Sequence, residues 1–276
     1  MKVDIKPEKN TKPLRVEDVQ RKTWRRYHRL RVIGLLILVA LLFIGSYWII
    51  VSSELMRFGN LKVVGTNHLD EEDIRILLEY RIPARKPIPA LLGYSHFWVW
   101  PNRWEGDDLK ELPHIRSITF RPNYKERQLI VEVEERNFLG IWCTNPAGGA
   151  DCLWFDKEGV GFEHALRPDG YLIFNVNDQS TSTKQLGGKM TKDEQFKHIL
   201  IIEDMLRQTK ASYRRLEILP TSEEAFVELR NGPTLQFSLN FPSRYAADVL
   251  SSLKRREIFS NLSYIDFRTQ NKVFYK

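Results

Sequence analysis

Hydrophobic and polar positions follow three regimes along this chain. From Val32 to Val51 there is no alternation, and twenty residues pass without a charge. At 1.5 Å per residue such a run makes a helix about 30 Å long, the thickness of a bilayer's hydrocarbon core. A second regime fills residues 58–135. Phe58 to Val64, closed by Gly65-Thr66-Asn67, reads as a short strand. Asp70 then stands as an N-cap, with Glu71, Glu72 and Asp73 in a first turn where the macrodipole favours acids. Leu69 and Ile74 are placed to staple that helix start, and Ile74, Leu77 and Leu78 recur at helical spacing. The acidic quartet lacks the alternating ligands and glycine of an EF-loop, so it marks a helix start and not a calcium site.

Arg81 to His96 holds three prolines and reads as a loop leading to Phe97-Trp98-Val99-Trp100. Pro101 to Leu112 is expected to form a second helix, with proline in its first turn. Ile118 and Phe120 next alternate with Thr119 and Arg121, and Leu129, Val131 and Val133 with Ile130, Glu132 and Glu134. The expected order is β-α-α-β-β, a three-stranded sheet with both helices on one face.

The third regime, residues 136–276, is strand-rich with two helices. Phe138 to Trp142 and Leu153 to Phe155 flank a turn-forming stretch, a hairpin pattern. Strands follow at Val160 to Phe162, behind the turn Asp156-Lys157-Glu158-Gly159, and at Tyr171 to Phe174. Ser180 to Gly188 is a polar loop. A helix is expected from Thr191 to Gln208, with Phe196, Ile199, Leu200, Glu203 and Leu206 along its core-facing stripe. Strands near Leu216 to Leu219, Ala225 to Leu229 and Thr234 to Leu239 precede a helix that starts at Pro242 and carries Tyr245, Val249, Leu250 and Leu253. Extended runs close the sequence, Ser263 to Arg268 and Val273 to Tyr275.

Charge fixes the orientation. Eleven Lys/Arg and four Asp/Glu lie in residues 1–31, against thirty-one of each in residues 52–276, so the whole net charge of +7 sits ahead of the apolar run. Six Lys/Arg crowd into Arg21 to Arg31. The positive-inside rule puts that end in the cytoplasm, against anionic lipid headgroups, and the rest outside. A cleaved signal peptide would have a shorter apolar stretch, nearer residue 1, ending in small residues. This one starts late and ends Tyr47-Trp48-Ile49-Ile50-Val51, aromatics suited to the membrane interface. It is expected to be an uncleaved anchor behind a disordered basic tail, Met1 to Gln20 at least. A neutral remainder offers no footprint for a phosphate backbone, so nucleic-acid binding is excluded as a main function.

The two cysteines agree with an outside location. Cys143 and Cys152 close the hairpin, which in an oxidising compartment reads as a structural disulfide. There is no C-x-x-C spacing and no nearby histidine for a metal or redox pair. No G-x-S-x-G, Walker A or H-E-x-x-H sequence occurs. Glu194 and His198 share a helix face without a third ligand, which favours a solvated pair over a metal site. The expectation is a non-enzyme without cofactor, metal or small-molecule substrate.

These residues resemble a known family. A short basic tail, one span, a β-α-α-β-β unit and a mixed β region are similar in order to the bacterial cell-division family FtsQ/DivIB, whose first external module is a POTRA domain. The likeness rests on Val63-Val64-Gly65-Thr66-Asn67, on Leu112-Pro113-His114-Ile115, and on Leu129 through Arg136. Further on it rests on Trp154-Phe155-Asp156-Lys157-Glu158-Gly159 and on Tyr264-Ile265-Asp266-Phe267-Arg268. Two departures stand out: a longer, proline-rich Ile82 to His96, and Asn137-Phe138 where the family has proline.

The resemblance implies an α+β fold: tail 1–31, transmembrane helix 32–52, POTRA domain 55–135, and a β domain 136–276. It implies a single-pass cell-membrane protein of the divisome, concentrated at the septum, that works by protein–protein contact. Upstream division proteins would meet the POTRA module, where Arg116, Thr119 and Arg121 are the candidate contacts. An FtsB/FtsL-like partner would add to the C-terminal strand through Tyr264, Asp266, Arg268, Thr269, Val273, Phe274 and Tyr275. Arg268 is expected to meet an acidic residue of that partner, and truncation after Arg268 to leave a folded ectodomain that no longer captures it. The competing class is an anchored extracytoplasmic enzyme or chaperone that uses the POTRA module to hold clients.

Overall fold

The computed structural model describes residues 16–85, 92–144, 151–180, 183–220 and 223–276. Helix α1 runs unbroken from Val16 to Ser52. Its stretch Tyr27–Val51 is long and apolar enough to cross a membrane, and none of it is buried against the rest of the chain. The apolar run read from the sequence lies inside it. The tail, however, is not disordered from Val16 onward. Val16 to Arg31 contains neither proline nor glycine, and an existing helix extends at the small cost of fixing one residue per added bond. Met1 to Arg15 lie outside the described residues.

Past α1 a first sheet forms from β1 (Asn60–Val64), β2 (Arg103–Glu105), β3 (Ile115–Asn123) and β4 (Gln128–Glu135), in the order β1-β4-β3-β2. β1 lies parallel to β4, with Val63 opposite Val131, and the other neighbours are antiparallel. The alternation read in β3 and β4 is realised: Ile118, Phe120, Leu129, Val131 and Val133 are all buried. Helix α2 (Glu71–Arg85) lays Ile74 and Leu78 into the same core, and Leu69 packs against it. Its cap is the expected one, Asp70 Oδ1 accepting from the Glu72 N–H at 3.0 Å. The loop expected from Arg81 begins later, because α2 stops two residues past Pro83. That proline forfeits one main-chain bond without barring the turn. Residues 86–91 lie outside the described set.

The second helix expected over Pro101 to Leu112 is not there. Arg103–Glu105 is instead strand β2, with Trp104 opposite Ile118 on β3, followed by a 3-10 turn, Gly106–Leu109. Trp104 is buried between exposed Arg103 and Glu105, a period of two, and its ring meets Phe120 edge-on at 5.1 Å. Gly106, at φ 58°, then turns the chain as few other residues do. Burying an indole and gaining ladder bonds outweighs the proline signal for a helix start. Among the described residues the sheet therefore has four strands, not three, and Pro101 to Leu112 supplies no second helix.

A second sheet takes in β5 (Gly140–Thr144), β6 (Asp151–Phe155), β7 (Gly161–His164), β8 (Phe174–Asp178), β9 (Tyr213–Ile218), β10 (Glu224–Leu229), β11 (Thr234–Ser238), β12 (Tyr264–Thr269) and β13 (Lys272–Tyr275). The nine run β13-β12-β11-β10-β9-β8-β5-β6-β7. Helices α3 (Asp193–Gln208) and α4 (Ala246–Lys254) bring Phe196, Ile199, Leu206, Leu250 and Leu253 into the core shared with Trp142, Phe155, Phe237 and Phe267. Ile202 and Met205 belong to this core, whereas Glu203 stands at its margin holding the Tyr213 hydroxyl. The run expected as a strand from Tyr171 contributes only Phe174. Leu172 is fully exposed, because β8 continues to Asp178 and leaves residues 171–173 as a bend.

The hairpin β5–β6 sets Cys143 directly opposite Cys152, and the two are bridged. Residues 145–150 of its turn lie outside the described set. The turn before β7 is organised by Asp156, whose Oδ1 accepts from the N–H groups of Glu158 (2.9 Å) and Val160 (3.0 Å). Gly159 sits at φ 73° with Phe196 against it, leaving no room for a side chain. Arg136 bonds Asp156 Oδ2 at 2.5 Å and the Pro113 carbonyl at 3.1 Å, and both ends of the ion pair are almost fully buried. It ties the first sheet to the second.

Candidate partner-binding edges

A chain that works by strand addition needs main-chain groups left unpaired at a sheet edge. The C-terminal run is two strands. β12 pairs with β11 on one side and with β13 on the other, so it has no free edge. This corrects the expectation that Tyr264, Asp266 and Arg268 lie on the outer strand. Burial of Ile265 and Phe267 pulls β12 into the sheet, and the two-residue turn at Gln270-Asn271 folds the last residues back over it.

β13 is the edge. Tyr264 and Lys276 exchange main-chain bonds of 3.3 and 3.4 Å across it. In an antiparallel ladder bonded and non-bonded pairs alternate, so the adjacent pair, Ile265 with Tyr275, is non-bonded. The N–H and C=O of Tyr275 therefore point away from β12. Phe274 and Tyr275 are half-exposed, while Val273 packs on the core. The Tyr245 hydroxyl donates to the Thr269 carbonyl at 3.0 Å and steadies the turn. Truncation after Arg268 would remove Val273 from the core as well as the edge, so it is no clean test of capture.

Arg268 is not a free donor. Its Nε and Nη2 bond the two oxygens of Asp266 at 3.0 and 2.8 Å, and its Nη1 bonds Glu224 at 3.0 Å. These bonds raise the guanidinium pKa and hold the Asp266 carboxyl below its ordinary range. The residue clasps β12 to β10 across β11 and is engaged before any partner arrives.

The candidates on the first sheet fare similarly. Arg116 is held by Glu134 at 2.5 Å and by Glu158 of the second sheet, through its Nε at 2.7 Å. It is a bridge between the sheets. Thr119 faces Arg103 of β2, so that stretch of β3 is covered by a neighbour strand. Arg121 alone among the three is well exposed, paired at 3.1 Å with Glu132.

Two residues with structural reach were not singled out in the sequence. Glu135 accepts from the N–H groups of Asn67, His68 and Leu69 at 2.8 to 3.1 Å, just ahead of α2. Burial pushes its carboxyl up, but those three donors outweigh this and hold it at about 2. His96 is fully buried. Its Nδ1 accepts from the Trp98 N–H at 3.2 Å, and its Nε2 donates to the Ile50 carbonyl at 2.8 Å. The last carbonyls of a helix lack partners within it, so this histidine, just ahead of the turn Phe97–Val99, caps α1. Arg57 does the same for the Val51 carbonyl at 3.2 Å. No sequence signal marks Glu135 or His96, whose contacts with Asn67 and Ile50 span 68 and 46 positions, whereas Arg57 lies six residues from Val51.

Among the described residues no group of three or more His, Cys, Asp or Glu is placed to hold a metal. His198, paired in the sequence reading with Glu194, has its Nδ1 2.6 Å from the Leu239 carbonyl. The fold is thus a mixed α+β one with an N-terminal apolar helix and two mixed sheets. No known family model matches this chain, and no curated protein sequence matches it.

Proposed function

We propose that this chain is a bitopic, non-enzymatic assembly protein of the bacterial division machinery, of the FtsQ/DivIB kind. Its N-terminus is cytoplasmic, its two sheets are extracytoplasmic, and it gathers at the septum. An FtsB/FtsL-like partner adds an extended segment to β13. One observation carries this reading: the nine-stranded sheet ends in a strand whose Tyr275 main-chain groups point outward beside half-exposed Phe274. Added main-chain bonds give such a contact its affinity, and the aromatic side chains give it specificity. The rest of the chain supports the role mechanically. His96 and Arg57 hold the helix end, and Arg136 couples the sheets. A partner caught at β13 is thereby held at a set position relative to the span.

The test is a proline on the open side of the edge. Tyr275→Pro removes an outward N–H and no bond to β12, so the sheet stands while strand addition is blocked. With full-length protein in lipid nanodiscs, Tyr275→Pro is expected to lose co-purification of the FtsB-like partner at least tenfold, and Tyr275→Ala much less. Equal capture by Tyr275→Pro and wild type would sink the assignment. A tagged wild-type copy spread evenly over the cell envelope would sink the division role.

A further inference from the structure

Strand β8 carries two asparagines that nothing in the fold explains. Asn175 and Asn177 are 94 and 95% buried, and neither carboxamide oxygen has a hydrogen-bond partner among the described residues. They share the face of the sheet away from α3 and α4, opposite Ile141 and Cys143 of β5. Both line a cavity of about 240 Å³ together with Arg167, Asp169, Arg214 and Arg215. With Glu217 beside Arg215, three guanidinium groups stand against two carboxylates, an excess of one positive charge. Asp169 is taken by Arg214 at 2.5 Å, and Arg215 by Glu217 at 2.5 Å, whereas Arg167 is exposed.

A buried acceptor without a donor costs free energy until a partner supplies one. At about 30 Å³ per molecule the cavity has room for water, which can donate to both carbonyls, and equally for a short stretch of chain. The spacing is more informative. Residues two apart on a strand lie about 6.6 Å apart on one face, which is also the repeat of same-side N–H groups along an extended peptide. The segment that forms one wall of the pocket also shows Leu166 and Leu172 to solvent, 91 and 100% exposed.

We propose that this pocket binds an extended acidic peptide. Its N–H groups donate to the Asn175 and Asn177 oxygens, its carboxylate meets Arg214 and Arg215 with Arg167 at the rim, and flanking apolar residues cover Leu166 and Leu172. The site is separate from the β13 edge, with strands β10 to β12 lying between β9 and β13. It stands or falls independently of the division reading.

The experiment uses full-length protein in nanodiscs and three fluorescein-labelled octapeptides. One alternates alanine and glutamate and is amidated, one alternates alanine and glutamine with a free carboxylate, and one alternates alanine and lysine and is amidated. Saturable binding is expected for an acidic peptide and not for the lysine one. Preference for the first assigns the carboxylate to a side chain, and preference for the second assigns it to a chain end. The surface double variant Arg167→Glu, Arg214→Glu is expected to weaken binding at least tenfold. Asn177→Leu is expected to do the same while leaving the unfolding midpoint no lower, because it deletes an unpaired acceptor. No saturable binding of either acidic peptide, equal binding of the lysine peptide, or full affinity in either variant would overturn the proposal. A lowered midpoint with intact binding in Asn177→Leu would make the asparagine structural and overturn it too.

Discussion

The two ends of the nine-stranded sheet are treated oppositely. At the β7 end the chain pairs its own edge: the Gly161 N–H donates to the Gly188 carbonyl at 3.0 Å, and the Gly187 N–H to the Gly161 carbonyl at 2.7 Å. The covering loop is pressed onto the first sheet's 3-10 turn. A side chain at Gly187, itself at φ 75°, would stand 2.8 Å from the Lys110 carbonyl. At the β13 end no loop returns among the described residues. The strand is only four residues long, with Lys272 at its start and Lys276 just after it. Short strands flanked by lysine resist indiscriminate pairing. One end is thus closed by the fold, and the other is left open but guarded, as a site for one chosen partner would be.

Variants that break this contrast fall in a clear order. The largest loss belongs to the closed end. Arg136→Ala leaves the buried Asp156 carboxylate without its cation, which costs about 3–5 kcal/mol. Chemical denaturation of the full chain should show it, together with loss of the turn leading into β7. If Arg136→Ala unfolds at the wild-type denaturant concentration, the two sheets are not coupled through this pair.

The disulfide comes next. It closes a loop of sequence separation 9, for which the chain-entropy model gives about 2.5–3 kcal/mol. Cys143→Ser with Cys152→Ser should lower the midpoint accordingly, and reduction of the wild type should reproduce the shift. A double variant as stable as the oxidised protein would show that β5 and β6 need no staple.

Acid should act on the first sheet through Glu135. Glu135 is depressed to about 2 from an ordinary 4.5, so its contribution is complete above about pH 4.5 and is lost as pH falls towards 2. For a side chain only 7% exposed, that is worth about 1–3 kcal/mol. Glu135→Gln should flatten the acid limb of the stability profile and leave the neutral region lower. An unchanged acid limb would remove Glu135 from the account. The smallest effect belongs to the open end. Tyr275→Pro should move the unfolding free energy by no more than about 0.5 kcal/mol, as expected for a surface change that breaks no internal bond. A large drop would mean that β13 is fixed by contacts beyond those to β12.

Local patterns in the sequence were legible where one residue's role depends on its near neighbours. The uncharged run of α1, the Asp70 cap, the alternation of β3 and β4 and the pairing of Cys143 with Cys152 each need only spacing and residue type. Pro101 misled because a proline that opens a helix also sits ahead of a strand, and only Phe120 and Ile118 decide how Trp104 is buried. Ile202 and Met205 escaped because a stripe drawn through Glu203 looked complete before Tyr213 claimed that carboxylate.

What the sequence determined by itself is therefore an apolar helix long enough to cross a membrane, and the elements whose period is written in consecutive residues. Tertiary structure alone decided which strands are neighbours. β1 beside β4, β12 inside rather than outside, and the open side of β13 all follow from burial and bonding between residues far apart in the chain. Such pairings leave no period in the sequence. The positions on which the proposed coupling and capture rest, His96, Arg136, Asn177 and Tyr275, become visible only when the groups they face are known.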